Sequence, residues 1–302
     1  MLRTGIQVGW MGALLCLVFA RPLWSQNKLE FTVASIHENK SSDKPDSNFP
    51  LDRSNAYAAT GGVFRATNQT LVGYIMFAYK MGVSESAGGF IRSLPEWATE
   101  ARFDITAKSD SPNPSKDDMR SMLRSLLEQR FKVVTHRETR SVPVFALSLE
   151  SPGKIGPQLR PHDPASPCPS LSSTPPRSMT ASQALGTWPH NCGDGQELRM
   201  AQRAVRDGGR DMTMAAIASW LTGASDWADR PVIDATGLSG TYDFVLDSAP
   251  NYDGPANPDS AAANALPELP EALRQQLGLR LRKQQGSVTF FLVDHIERPS
   301  PN

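Results

Sequence analysis

The stretch RPVIDATGLSGTYDFVLD (residues 230–247) decides the fold, because it places Asp243 between two aromatic residues on a predicted strand. An earlier stretch, LPEWATEARFDITAKSD (residues 94–110), places Asp104 between an aromatic and an aliphatic residue in the same way. Such alternation indicates a half-buried strand. The similarity of the two stretches raises the question whether one structural unit is written twice.

The elements around the two aspartates follow the same order. Each strand comes after a predicted helix and before a second helix and a predicted hairpin. The offset between the copies is 139 residues at the aspartates (243 − 104 = 139) and 146 residues at the hairpins, from Ser141 to Ser287 (287 − 141 = 146). Such an offset indicates internal duplication. The sequence therefore predicts an α+β fold with a duplicated helix-strand-helix-hairpin unit, mostly antiparallel sheets and long Pro/Ser-rich loops.

The N-terminus has the pattern of a cleaved secretory signal. Arg3 supplies a positive charge, residues 10–20 form an apolar run of signal-peptide length, and polar sequence resumes after Ser25. An uncleaved anchor needs a longer apolar span, and Cys16 lacks the small neighbours of a lipid-modified cysteine. We predict a signal peptide over residues 1–26 and a secreted or periplasmic mature protein without a transmembrane segment.

Composition divides the rest of the chain into two α+β units. We predict the first unit over residues 27–150, a Pro/Ser-rich linker loop over 151–195 and the second unit over 196–302. The segment EFTVASIHE is expected to complete the first sheet, and a strand near QELRMAQRAV to do the same in the second.

Charge and motif content exclude several classes of function. The 302 residues carry 31 basic and 31 acidic side chains, so no electrostatic argument favours a nucleic-acid partner. The chain has no nucleophile elbow, zinc-protease helix, phosphate-binding loop or dinucleotide fingerprint. The sequence therefore predicts no cofactor and lowers the expectation that the protein is an enzyme.

Two cysteines remain after signal cleavage. In an oxidising compartment Cys168 and Cys192 are expected to form a disulfide. The bridge closes a loop of 24 residues (192 − 168 = 24), worth about 3 kcal/mol in the chain-entropy model. The alternative is a zinc site that adds His162 and His190, but those spacings do not match the usual ligand pairs. We predict the disulfide and no metal site.

Long stretches of the chain resemble a large family of paralogous exported proteins, mostly acidobacterial, whose function is uncharacterised. The resemblance rests on EFTVASIHENKS, FRATNQTLVGYIMFAY, RFDITAKS, MRSMLRSLLEQRFKVVTHRETRSVPVFALSL, RPVIDATGLSGTYDFVLD and VDHIERPSPN. It implies an exported domain without agreed catalytic residues. The predicted units are also similar, at fold level alone, to short periplasmic repeats of secretins and TonB-dependent receptors, which dock proteins.

The two aspartates and two tryptophans are the candidate binding residues. Asp104 and Asp243 are predicted either to face each other as acids for catalysis or cation binding, or to accept hydrogen bonds that fix their strands. Trp97 and Trp227, and also Trp188, are predicted either to stack on a sugar or partner side chain or to seal the edge of the core.

Two histidines offer alternative chemistry. His136 lies in THRETR, between two predicted strands, where it is either a general base oriented by Glu138 or part of a solvated hairpin turn. His295 is expected to share one side of a strand with Glu297, as a catalytic pair, a metal half-site or a salt-bridged pair.

We therefore predict a secreted or periplasmic binding protein that holds a protein or glycan partner in the cell envelope. The alternative is a secreted hydrolase that uses Asp104, Asp243, His136 or His295. An enzyme would bring at least two of these side chains into one pocket, whereas a binding module would leave them dispersed.

Overall fold

The computed structural model describes residues 28–55, 57–82, 89–166, 189, 192–199, 205–223, 229–249 and 266–299. Over these ranges the chain is α+β, with three mostly antiparallel sheets. The strands are β1 (Val33–Asn39), β2 (Asp46–Ser47), β3 (Val63–Thr70), β4 (Arg102–Lys108), β5 (Val134–Leu149), β6 (Leu159–Pro161), β7 (Gly195–Arg199), β8 (Val205–Thr213), β9 (Val232–Asp234), β10 (Thr241–Ser248) and β11 (Leu279–His295). The helices are α1 (Leu71–Ala78), α2 (Ile91–Ser93), α3 (Glu96–Glu100), α4 (Lys116–Arg130), α5 (Met214–Gly223) and α6 (Leu269–Ala272), which continues as a π-helical turn (Leu273–Leu277).

The first sheet has the strand order β1-β4-β3-β2 and is antiparallel throughout. The prediction that EFTVASIHE completes this sheet is confirmed, because β1 pairs with β4 from Val33 opposite Lys108 to Asn39 opposite Arg102. Helices α1 and α4 pack on each other beside the sheet. Aromatic residues such as Tyr74 fill the first core, the hydrophobic cluster between this sheet and its helices.

The second sheet has the order β6-β10-β8-β7 and is also antiparallel. The predicted strand near QELRMAQRAV is confirmed as β7, which pairs with β8. Strand β6 lies inside the segment predicted as a linker loop and pairs with β10. Helix α5 and the α6 segment cover this sheet and enclose the second core, the cluster that includes Met212, Phe244 and Leu273.

The third sheet is a ribbon of the two longest strands, β5 and β11, with β9 added in parallel along part of β5. The prediction of a hairpin in each half is wrong. Strand β5 runs without a turn for 16 residues and β11 for 17. The charged segment THRETR stays extended because β11 supplies its backbone with partners along the whole ladder, with Ser141 opposite Ser287 near the middle.

The ribbon joins the two cores. At one end Phe291 and Val293 of β11 are buried in the first core, although β11 is the last strand in the chain. At the other end Phe145 of β5 and Leu279 of β11 are buried in the second core. Each core is therefore completed by side chains from both halves of the chain, and the ends of the ribbon are its anchored parts.

The longest described helix, α4, begins with a capping box at Ser115. The Ser115 hydroxyl accepts a hydrogen bond from the Asp118 amide at 3.0 Å, and the Asp118 carboxylate accepts one from the Ser115 amide at 3.0 Å. This reciprocal pair satisfies two helix-start donors. In the described part of the chain no helix has the length and apolar content needed to cross a membrane.

Candidate functional site

Asp104 holds a bulge in the first sheet. The register of β3 against β4 shifts between Ala66 and Gln69, and Asn68 within that bulge has a left-handed φ of 52°. The Asp104 carboxylate accepts hydrogen bonds from the Asn68 amide at 2.7 Å and from Asn39 Nδ2 at 2.8 Å. Because the amide of a bulged residue has no ladder partner, the carboxylate is what satisfies it.

Asp243 does the same in the second sheet. Asp211 of β8 has a φ of 51°, and its amide donates to Asp243 Oδ1 at 2.9 Å. The Nδ1 atom of His162 lies 2.7 Å from the same oxygen, and Arg210 Nε lies 3.9 Å from Oδ2. The carboxylate therefore fixes a strand and also orients a largely buried imidazole.

The structure places the two aspartates in different sheets, each among its own local partners. Their neighbours Phe103, Ile105 and Phe244 are buried, as strand alternation predicts. Sequence reasoning missed the bulge residues that the carboxylates hold. Asn and Asp tolerate left-handed backbone better than other non-glycine residues. The presence of Asn68 in β3 and of Asp211 in β8 was therefore the sequence signal for the two bulges.

The structure describes two of the four ligands of the alternative zinc site, His162 and Cys192. His162 is paired with Asp243. Cys192 is buried beside Arg210 at an isolated β-bridge. Cys168 and His190 lie outside the described residues, so the Cys168–Cys192 disulfide stays a prediction. Over the described ranges, no cluster of three or more His, Cys, Asp or Glu side chains is arranged to hold a metal ion.

Trp97 lies at the edge of the first core. Its ring is partly buried against that core, and the Arg298 guanidinium covers it with its Cζ 4.9 Å from the ring centroid. Arg298 also donates to Glu38 of β1 at 3.1 Å, so this stack ties the C-terminal segment to the first sheet. Trp227 and Trp188 lie outside the described residues.

Both histidines of the alternative chemistry lie on the ribbon, each beside its own acid. His136 is within β5 rather than in a hairpin turn, which corrects its predicted setting. Its Nδ1 lies 2.7 Å from Asp294 Oδ1. The predicted pairing of His295 with Glu297 is confirmed, with Nε2 2.7 Å from Oε1. All four side chains are exposed to solvent, where such pairs contribute little to stability.

A cleft of about 660 Å³ opens where the ribbon meets the first core. It is lined by Tyr79, Glu128, Lys132, Val133, Val134, Thr135, His295 and Glu297. Burial raises the pKa of the Tyr79 hydroxyl, and Glu128 raises it further, while Thr135 and Arg124 oppose the shift. The phenol is therefore neutral at physiological pH. The cleft presents this hydroxyl, an exposed valine and charges of both signs, a mixture suited to holding a ligand or a partner side chain.

A sequence profile of the family described as "Protein of unknown function (DUF3738)" matches residues 72–296. The chain belongs to this family. The DUF3738 match runs from the second residue of α1 to the residue after β11. It includes both aspartates, the ribbon and every residue that lines the cleft except Glu297. Among curated proteins and among solved structures, no significant match was found. The DUF3738 description names no reaction, so the geometry is what supports a function.

Proposed function

We propose that this protein is exported and acts as a binding protein of the cell envelope. The observation that carries the proposal is that each of the four candidate catalytic side chains is engaged by local partners of its own. Asp104 and Asp243 hold bulges in two different sheets, while His136 and His295 pair with exposed acids on the ribbon. Catalysis by these groups would require at least two of them within reach of one substrate.

The pairing of His162 with Asp243 favours the hydrolase alternative, because an acid on Nδ1 orients an imidazole as a base. His136 has the same contact with Asp294, but its imidazole is exposed whereas that of His162 is largely buried. Two observations favour a structural role instead. The nearby Ser166 hydroxyl accepts from Arg210 Nη2 at 2.8 Å, so it is engaged by a cation. Asn39 contacts Asp104 in the first sheet as His162 contacts Asp243 in the second.

We propose further that the two halves are related units. The strand orders β1-β4-β3-β2 and β6-β10-β8-β7 match position by position. In both sheets the strand that carries the bulge runs directly into a helix. Ser141 and Ser287 are equivalent positions of the two halves, 146 residues apart (287 − 141 = 146), and they lie directly opposite each other in the ribbon. A two-fold axis through the ribbon would place equivalent residues opposite each other in this way. In this arrangement each unit contributes one long strand to the other.

Export is tested by the intact mass of the protein recovered from the envelope or medium of cells that produce it. We expect a mature chain that begins near residue 27. Under denaturing conditions Cys168 and Cys192 should react with an alkylating reagent only after reduction. A full-length mass confined to the cytoplasm would contradict export, and two thiols that react without reduction would contradict the disulfide.

The cleft is tested as the partner site by placing a photo-crosslinking amino acid at position 134. Val134 is 53% exposed and lines the cleft. Ile155 is 36% exposed and lies against Gly278, the residue before β11, at the opposite end of the ribbon, so it serves as the matched control. In producing cells we expect adducts from position 134 well above those from position 155. Digestion then distinguishes a peptide from a glycan adduct, and equal yields at the two positions would contradict the proposal.

A further inference from the structure

Three aromatic rings form the centre of the first core. Phe49, Phe64 and Phe77 are 0%, 0% and 3% exposed. Their ring centroids lie 6.0 Å apart for Phe49 and Phe64, 5.8 Å for Phe49 and Phe77, and 6.5 Å for Phe64 and Phe77. Phe64 comes from β3, Phe77 from the helix that follows it, and Phe49 from the chain just after β2. This triad fixes the helix and the edge of the sheet to one another.

The second sheet has two carboxylates and an indole at the corresponding positions. The two left-handed bulge residues, Asn68 and Asp211, are 143 positions apart in the chain (211 − 68 = 143), and this distance relates equivalent positions of the two sheets. Position 64 then corresponds to Asp207 (64 + 143 = 207) and position 77 to Trp220 (77 + 143 = 220). Glu197 of β7 lies directly opposite Asp207, as the register of β2 on β3 places Phe49 level with Phe64. A buried phenylalanine of the first half therefore corresponds to a buried acid in the second, and the residue opposite that acid, Glu197, is exposed.

Asp207 is a buried acid of the second sheet. It is 3% exposed, and its Oδ1 has no hydrogen-bond partner in the described structure. The indole N–H of Trp220 lies near the carboxyl but outside hydrogen-bond geometry. The neighbouring Arg206 is occupied by Asp247 of β10, with its Nε 2.6 Å from Oδ1 and its Nη2 2.8 Å from Oδ2. Among the described side chains, Glu197, Asp247 and Trp220 act electrostatically on the Asp207 carboxyl.

We propose that Asp207, Glu197 and Trp220 form a proton-dependent contact that holds the edge strand β7 and helix α5 on the second sheet. With a proton on Asp207, the buried carboxyl is neutral and lies near the Trp220 ring, opposite the exposed Glu197. When the proton leaves, two carboxylates face each other across β7 and β8, and the edge strand loosens.

Electrostatics agrees with this geometry. Burial is the main cause that raises the pKa of Asp207 to about 7; Glu197 and Asp247 add to the rise, and Trp220 opposes it. In the unfolded chain an aspartate ionises near pH 4. Between about pH 4 and 7 the folded chain therefore holds a proton that the unfolded chain has released. Stability consequently falls as the pH rises through this window and is level above it.

The contact suits a proton better than a metal ion. The Trp220 ring lies directly against Gly195 of β7, where even an added Cβ would collide with it. Over the described ranges, no group of three or more His, Cys, Asp or Glu side chains is arranged to hold a metal ion. A proton neutralises the charge without occupying space.

The test is the thermal midpoint of the full-length mature protein between pH 4.5 and 9, for the wild type and for Asp207→Asn. We expect the wild-type midpoint to fall as the pH rises from 5 towards 7.5. Asp207→Asn should flatten that decline and raise the midpoint at pH 8, since the amide keeps the shape and removes the charge. Glu138→Gln, at an exposed ribbon position, is the control and should retain the wild-type profile.

Glu197→Gln keeps the proposal testable if Asp207→Asn does not fold. Removal of the facing charge should shift the decline of the wild-type profile towards lower pH, because Asp207 then ionises more readily. An unchanged profile in both variants would overturn the proposal. A calcium titration at pH 8 gives a second way to overturn it. If millimolar calcium raised the thermal midpoint of the wild type but not that of Asp207→Asn, the acids would bind a cation and not a proton.

Discussion

Replacement of Phe291 by alanine is expected to lower the free energy of unfolding by about 3–5 kcal/mol. Phe291 belongs to the last strand of the chain, yet it is 1% exposed within the first core. Its ring centroid lies 4.7 Å from that of Tyr79 and 5.8 Å from that of Phe90. The substitution removes a ring and leaves a cavity where the ribbon joins that core, so the first half of the molecule should lose protection.

Two measurements check this expectation. Chemical denaturation gives the free energy of unfolding, and amide hydrogen exchange reports whether α1 opens more readily. Leu292→Ala is the control, because the neighbouring side chain is on the opposite face of β11 and is only partly buried. If Phe291→Ala costs no more than Leu292→Ala, the ribbon does not complete the first core and the exchange of strands between the halves is wrong.

Local patterns in the sequence predict the elements whose partners are near or whose signals are strong. Strands β4 and β10 follow from alternation around Asp104 and Asp243. Helix α4 follows from Ser115 and the acids of its first turn. These features depend on neighbouring residues in the chain, which is why the sequence is sufficient for them.

The ribbon shows what local patterns cannot predict. A charged break such as THRETR between two apolar runs is typical of a hairpin turn. The structure keeps it extended because a strand about 150 residues later in sequence pairs with it, from Val134 opposite His295 to Leu149 opposite Leu279. The choice between a turn and a continuous strand therefore depends on a partner that no local window contains.

The contacts of the candidate site depend on the same long-range pairing. His162 meets Asp243 although 81 residues separate them, and β6, which positions His162, lies in a segment whose composition indicates a loop. Glu197 meets Asp207 through the register of two strands. Sequence reasoning identified the aspartates of the strands, but it could not identify what each carboxylate holds.

Replacement of either bulge-holding aspartate by alanine is expected to cost about 2–4 kcal/mol in the free energy of unfolding. Each change leaves a backbone amide without an acceptor, at Asn68 or at Asp211. It also removes a second bond, from Asn39 in one case and from His162 in the other. Hydrogen bonds to a charged group contribute about 1.5–3 kcal/mol each, and a buried donor left unpaired costs about 1–3 kcal/mol.

The aspartate variants also separate a structural role from a catalytic one. Asp104→Asn and Asp243→Asn keep an acceptor oxygen for the bulge amide, so each should recover part of the loss caused by alanine. Asp110→Ala, which removes an exposed carboxylate that accepts from Thr32, is the control and should cost much less. Catalytic carboxylates are often dispensable for stability, since active sites trade stability for function. Alanine variants as stable as the wild type would therefore contradict the structural role and return Asp243 and His162 to the hydrolase alternative.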